Sequence, residues 1–92
     1  MTKVVITAQV DDASKWEEGF RTHGELFKRQ TVNNPIHFAT EGNYVTICSE
    51  PDDLDVYLKG LDSSDTEEAM KFDGVQRDTV KIYVLDKVFD LR

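Results

Sequence analysis

Ile36-His37-Phe38-Ala39-Thr40-Glu41-Gly42-Asn43-Tyr44-Val45-Thr46-Ile47-Cys48-Ser49 holds two runs of extended character around a short polar break. Tyr44, Thr46 and Cys48 alternate with Val45 and Ile47, the period-two pattern of a strand with one side turned toward a core. Gly42 supplies the backbone freedom that a tight reversal needs. The stretch is read as a β-hairpin, with strands over 36–40 and 44–49 joined through Glu41-Gly42-Asn43. Asn33-Asn34-Pro35 ahead of it is a turn.

Working outward, Lys3–Val10 is rich in β-branched residues, with Val4, Ile6, Ala8 and Val10 on one side and Val5, Thr7 and Gln9 on the other. A helix follows, capped by Asp12 or by Ser14, the latter forming a capping box with Glu17, and it runs to about Arg29. Trp16, Phe20, His23 and Phe27 fall at i, i+4, i+7 and i+11, one stripe along that helix. Gly19 and Gly24 lie inside it, each costing about 1 kcal/mol against alanine, and they are either merely tolerated or mark a close approach.

Beyond the hairpin, Pro51-Asp52-Asp53 opens a second helix on which Leu54, Tyr57, Leu58 and Leu61 repeat at i, i+3, i+4 and i+7. Ser64 with Glu67 reads as another capping box, starting a short helical segment through Ala69, Met70 and Phe72 that stops at Gly74. The last strand is expected over 79–85, with Val80, Ile82 and Val84 on one side and Tyr83 and Leu85 on the other. The order is β-α-β-β-α-β: an α+β chain with two helices on one face of a four-stranded antiparallel sheet. The first and last strands carry apolar residues on both sides, so the face without helices also needs cover. Either a second copy of the chain supplies it across a two-fold axis, or Thr7, Gln9, Thr46 and Lys81 simply wet it.

Ninety-two residues form one domain and bury only about 60–65% of their unfolded surface. A net charge of −7 repels phosphate backbones, so nucleic-acid binding is not expected. The acidic clusters over 50–55 and 62–68 sit at helix entrances, where carboxylates meet the helix dipole favourably. Asp52-Asp53-Leu54-Asp55 has neither the ligand spacing nor the turn glycine of a calcium loop. The single Cys48 has no disulfide partner, and no C-x-x-C pair is present. Without a signal-like or membrane-spanning stretch, the chain reads as cytoplasmic, with no membrane partner.

The local pattern Val10-Asp11-Asp12-Ala13-Ser14-Lys15-Trp16, leading into Phe20 and His23, resembles the dimeric α/β-barrel (ferredoxin-like) superfamily. Its antibiotic-biosynthesis-monooxygenase-like and polyketide-cyclase-like groups are similar, as are many relatives without an assigned activity. Pro51-Asp52-Asp53-Leu54, Ser64-Asp65-Thr66-Glu67-Glu68-Ala69-Met70 and Gly74-Val75 resemble the second-helix half of those same relatives. The resemblance spans nearly the whole chain and implies a ferredoxin-like fold, a homodimer with a shared barrel, and a cavity in each subunit between sheet and helices. Its members include cofactor-free oxygenases, isomerases, haem-degrading enzymes and proteins with no known activity, so the fold does not choose among them.

Two functional readings follow. In the first, the dimer binds an apolar or amphipathic small molecule, fatty-acid-like or aromatic, in a hydrophobic pocket lined by Trp16, Phe20, His23, Phe27, Tyr57, Met70 and Phe72. A ligand's carboxylate or carbonyl would then serve the imidazole N–H of His23. In the second, His23 is the general base of a cofactor-free monooxygenase, cyclase or isomerase, with Tyr44 or Tyr83 as the donor opposite. Each of these residues also has a plain role in a filled core, with His23 bonded to a backbone carbonyl or to a strand side chain such as Thr7. His23 and His37 lack a metal-binding motif such as H-E-x-x-H, so no metal is expected. Haem would have only His23 as an axial ligand, without the asparagine and tryptophan context of haem-degrading relatives, and no cofactor is expected. Cys48 is read as an inert strand residue and His37 as a surface or interface residue.

Overall fold

The computed structural model describes residues 2–91. Its elements are β1 (Lys3–Val10), α1 (Ala13–Phe20), α2 (Gly24–Arg29), β2 (His37–Glu41), β3 (Tyr44–Ser49), α3 (Leu54–Leu61), α4 (Ser64–Phe72) and β4 (Val75–Leu85). All strand pairs are antiparallel, in the order β2-β3-β1-β4. This is the ferredoxin-like arrangement expected from the sequence, with each helical half built from two helices. Among the described residues, no helix is long and apolar enough to cross a membrane.

The hairpin closes through Gly42 and Asn43 between the paired residues Glu41 and Tyr44, and Gly42 takes φ +58, a conformation natural to glycine. Register follows the alternation. Val4, Ile6, Ala8 and Val10 of β1 and Val45 and Ile47 of β3 are buried beneath the helices, where Trp16, Tyr57 and Leu61 complete the core with Val32. On the other face, His37, Cys48, Val5 and Tyr83 form one cross-strand row, followed by Ala39, Thr46, Thr7 and Lys81. One apolar edge of this face stays open, with Tyr83 49% and Leu85 50% exposed. The segment after β4 carries Val88, Phe89 and Leu91, all exposed.

The structure departs from the sequence reading in four places. The single helix expected up to about Arg29 is interrupted at 21–23. There the N–H groups of Thr22 and His23 bond back three residues, to Gly19 and Phe20, and the Thr22 hydroxyl donates to the Gly19 carbonyl at 2.6 Å. A β-branched hydroxyl residue that satisfies an end carbonyl, followed closely by Gly24, favours stopping and restarting over continuing. Second, of the two caps read for the first helix Asp12 is the one used, accepting from Lys15 N–H, so Ser14 forms no capping box, and α4 is capped by Ser63, which accepts from Thr66 N–H, and not by Ser64. Glu17 pairs instead with Arg21 at 2.9 Å.

Third, β2 starts at His37, one residue later than expected. Fourth, β4 begins at Val75, well before 79. An irregularity opposite Thr7 and Gln9 takes extra residues into β4 between Gln76 and Lys81, which breaks the alternation and hides the strand's start from a pattern reading. Thr79 spans the bulge, its Oγ1 accepting from Gln9 N–H at 2.8 Å and donating to the Gln76 carbonyl at 2.6 Å.

Candidate functional site

A cavity of about 70 Å³ lies between the sheet and helices α1, α2 and α4, with a wall almost wholly of apolar atoms. Its aromatic side is built from the stripe read in the sequence. Trp16 and Phe20 stack at 4.8 Å between centroids, and Phe27 meets Phe20 edge-on at 5.4 Å. Phe38 of β2 backs this cluster edge-on, 5.7 Å from Trp16 and 5.1 Å from Phe20, and the Arg21 guanidinium lies 5.1 Å from the Phe38 ring. Such offset and edge contacts hold aromatic rings in fixed orientation.

Behind one corner of the wall lies a polar pair. His23 Nε2 is 2.8 Å from Asp73 Oδ2, joining the start of α2 to the end of α4. Asp73 is only 7% exposed, and its Oδ1 is buried without a hydrogen-bond partner. Burial pushes the Asp73 carboxyl above its ordinary range, while the neighbouring His23 pulls it back down. The carboxylate fits here because Gly19 has no side chain: a Cβ at that position would collide with Asp73 Oδ1. Gly19 therefore marks a close approach, whereas a Cβ on Gly24 would meet nothing within 4 Å.

At the opposite end, Gln30 Nε2 donates to Thr66 Oγ1 at 2.7 Å, and that hydroxyl donates to the Gly60 carbonyl at 2.6 Å, tying α2, α3 and α4 together.

Of the residues singled out in the sequence, Trp16, Phe20, His23, Phe27 and Met70 are brought together around this cavity. Three tyrosines and a phenylalanine are not. Tyr57 is fully buried but outside the cavity wall, its hydroxyl accepting from Ser49 Oγ at 3.0 Å. Phe72 is 80% exposed, because it follows Met70 by two helical positions and so points the other way. Tyr44, 65% exposed, and Tyr83 belong to the opposite face of the sheet, so within one chain neither stands across from His23. The partner of the imidazole is neither Thr7 nor a backbone carbonyl but Asp73, which the sequence reading missed along with Gln30 and Thr66. One signal for Asp73 was available: an acidic residue at a helix C-terminus sits at the unfavourable end of the dipole and needs another reason to be there.

His37 and Cys48 face one another on the uncovered side of the sheet. Among the described residues, no group of three or more His, Cys, Asp or Glu side chains is placed to hold a metal ion.

The fold is shared with proteins of the antibiotic biosynthesis monooxygenase type. A candidate antibiotic biosynthesis monooxygenase from Bordetella bronchiseptica superposes with a TM-score of 0.72 at 14% identity, over 96% of this chain and 97% of that one. SnoaB, a cofactor-independent oxygenase from Streptomyces nogalater, superposes with a TM-score of 0.69 at 17% identity, over 98% of this chain and 95% of its own. The de novo designed protein Foldit4 matches as well, with a TM-score of 0.62 at 16% identity over 95% and 98% of the two chains. No family model and no curated protein sequence matches the chain. At these identities the likeness establishes the ferredoxin-like architecture, and a designed protein with the same outline shows that architecture alone carries no chemistry.

Proposed function

We propose that the chain works as a homodimeric small-molecule-binding protein of the cytoplasm, holding an apolar or amphipathic ligand, fatty-acid-like or aromatic, between sheet and helices. The observation that carries this reading is an aromatic-walled hollow with the His23–Asp73 pair at one corner. A hollow of about 70 Å³ takes the end of a chain or the edge of a ring, since a cavity of about 150 Å³ holds a benzene. A larger ligand needs side chains to give way. Met70 is unbranched and adaptable, and Phe20 and Phe27 also border a groove on the outer surface beside Val32, Pro35 and Ile36. Turning those two rings aside would connect the groove to the hollow.

The open edge formed by Tyr83 and Leu85, together with exposed Val88, Phe89 and Leu91, favours a second copy as the cover of the sheet. Thermal-shift and native mass spectrometry screens against aromatic libraries and lipid extracts test the binding reading. A bound species that raises the melting temperature is expected, and a uniformly empty result refutes it.

The hydrogen bond between His23 and the Asp73 carboxylate favours a second reading, in which His23 removes a proton from a phenol or activated carbon in a cofactor-free reaction, with dioxygen as oxidant where the reaction is an oxygenation. His23→Gln should then abolish turnover while the fold persists, and undiminished turnover would remove this reading.

A further inference from the structure

Phe20 and Phe27 border the hollow and also the outer groove, where Ile36 and Phe38 meet them from the β2 edge of the sheet. All four side chains are half-buried, so each leaves apolar surface open to solvent. The groove offers about 490 Å³ against about 70 Å³ in the hollow, within the range of about 300–1,000 Å³ common to small-molecule sites. The body of a ligand therefore fits the groove, and only its tip fits the hollow. One end of the groove is also fixed in place. Thr31 holds φ 67, uncommon for a β-branched residue, with its Oγ1 accepting from Asp53 N–H at 3.0 Å and donating to Asp53 O at 3.2 Å. A wall already in place loses less freedom when a ligand arrives.

The charge around the groove is a second, independent observation. The chain carries −7 overall, yet among the described residues those lining the groove include Arg21 and Lys28 and no Asp or Glu. The Arg21 guanidinium stands 5.1 Å from the centroid of the Phe38 ring, itself part of the groove. Glu17 Oε2 takes Arg21 Nε at 3.0 Å and Nη2 at 2.9 Å, which leaves Nη1 without a partner among the described residues. Lys28 Nζ lies 3.8 Å from Glu25 Oε1, a loose pair. Exposed pairs of this kind are weak and give way to a competing anion. Charges more than about 8 Å off are screened at physiological salt, so the two cations at hand outweigh the net charge of the molecule.

We propose that this groove binds an amphipathic carboxylate of the fatty-acid type, its head at Arg21 and Lys28 and its alkyl chain along Phe38, Phe20 and Phe27 toward the hollow. The inference rests on the reading that the chain holds an apolar or amphipathic small molecule. It selects the anionic, fatty-acid-like class and moves the charged end from His23, where the sequence reading put it, to the outer groove.

The test uses the whole chain with three probes that share one tail: decanoate, decanol and decyltrimethylammonium. Decanoate should bind about tenfold more tightly than decanol, a difference of about 1.4 kcal/mol, and the cationic probe more weakly than either. Arg21→Gln with Lys28→Gln should lower decanoate to the level of decanol and leave decanol unchanged. A cavity too shallow to need the groove would give no such split. Gly24 also lines the groove, and a Cβ there meets nothing within 4 Å, so Gly24→Leu should weaken decanoate and decanol alike with the circular dichroism unchanged. In the unmodified chain, decanoate should shift the amide resonances of Gly24 and Ile36. Decanol or the cationic probe binding as tightly as decanoate, or a decanoate preference that survives the double variant, overturns the proposal while the binding hollow stands. If no probe binds, both fall.

Discussion

Gly19→Ala tests the packing on which the site depends. In an ordinary helix interior the change stabilises by about 1 kcal/mol. Here the added methyl would collide with Asp73 Oδ1 and lie 2.9 Å from Asp73 Cγ, so the carboxylate must leave its place. Leaving it breaks the 2.8 Å bond to His23, a loss of about 1.5–3 kcal/mol for a hydrogen bond to a charged group, and overpacking adds about 1–3 kcal/mol. Net of helix propensity, a destabilisation of roughly 3 kcal/mol is expected, a large share of the stability of a chain this size. Urea unfolding at fixed protein concentration measures it, and two companions make the result diagnostic. Gly24→Ala, where the new methyl meets nothing, should stabilise by about 0.4–1 kcal/mol. In an Asp73→Ala background the obstruction is gone, so Gly19→Ala should change sign and become stabilising. Equal or greater stability of the single variant, or an undiminished cost in the Asp73→Ala background, would refute the reasoning.

Three further outcomes are expected. Because burial raises the Asp73 carboxyl, the folded chain favours its protonated form, so its contribution to stability is present below the ordinary carboxylate pKa of about 4 and is lost as pH climbs through the raised value. Asp73→Asn has no proton to lose and should therefore gain on the parent between acid and neutral pH, and a gap that stays flat in denaturation midpoints across that range contradicts the assignment. Tyr57→Phe leaves the buried Ser49 hydroxyl without its acceptor and should cost about 1–3 kcal/mol, while Tyr57→Phe with Ser49→Ala should recover most of that loss in urea titrations. On the uncovered sheet face, Tyr83→Lys with Leu85→Glu should weaken self-association in sedimentation experiments without lowering the helical circular dichroism, and a sedimentation profile unchanged from the parent would count against a dimer through this face.

What the sequence made legible was local. The hairpin, β1 and the stripe of α3 are each decided by side-chain period within a dozen residues, and the observed register keeps those faces. What it concealed depends on partners far along the chain. His23 meets Asp73 across fifty positions, and Gly19 becomes intelligible only once that carboxylate is in place. The bulge that moves the start of β4 is held by Thr79 against Gln9, seventy positions away. Phe72 is a different case: two helical positions from Met70, it was excluded from Met70's face by helix geometry alone, and the placement of both in one pocket overlooked a constraint the sequence contained.

The break between α1 and α2 explains how a site can form on what reads as a core stripe. Because the turns at Thr22 and His23 close through bonds three residues back, the chain tightens without reversing, and Trp16, Phe20 and Phe27 still meet around one hollow. His23, however, leaves the helix interior for the joint, with φ −95 and ψ 22, and there its ring reaches the end of α4. The interruption of the first helical segment thus coincides with the one buried side-chain atom that lacks a partner among the described residues, Asp73 Oδ1. A filled core would be better served by an unbroken helix and an apolar residue at 73, since a buried polar pair commonly stabilises no more than well-packed apolar side chains. That two departures from the simplest packing converge beside one corner of an otherwise apolar hollow is the physical argument behind the proposed binding role.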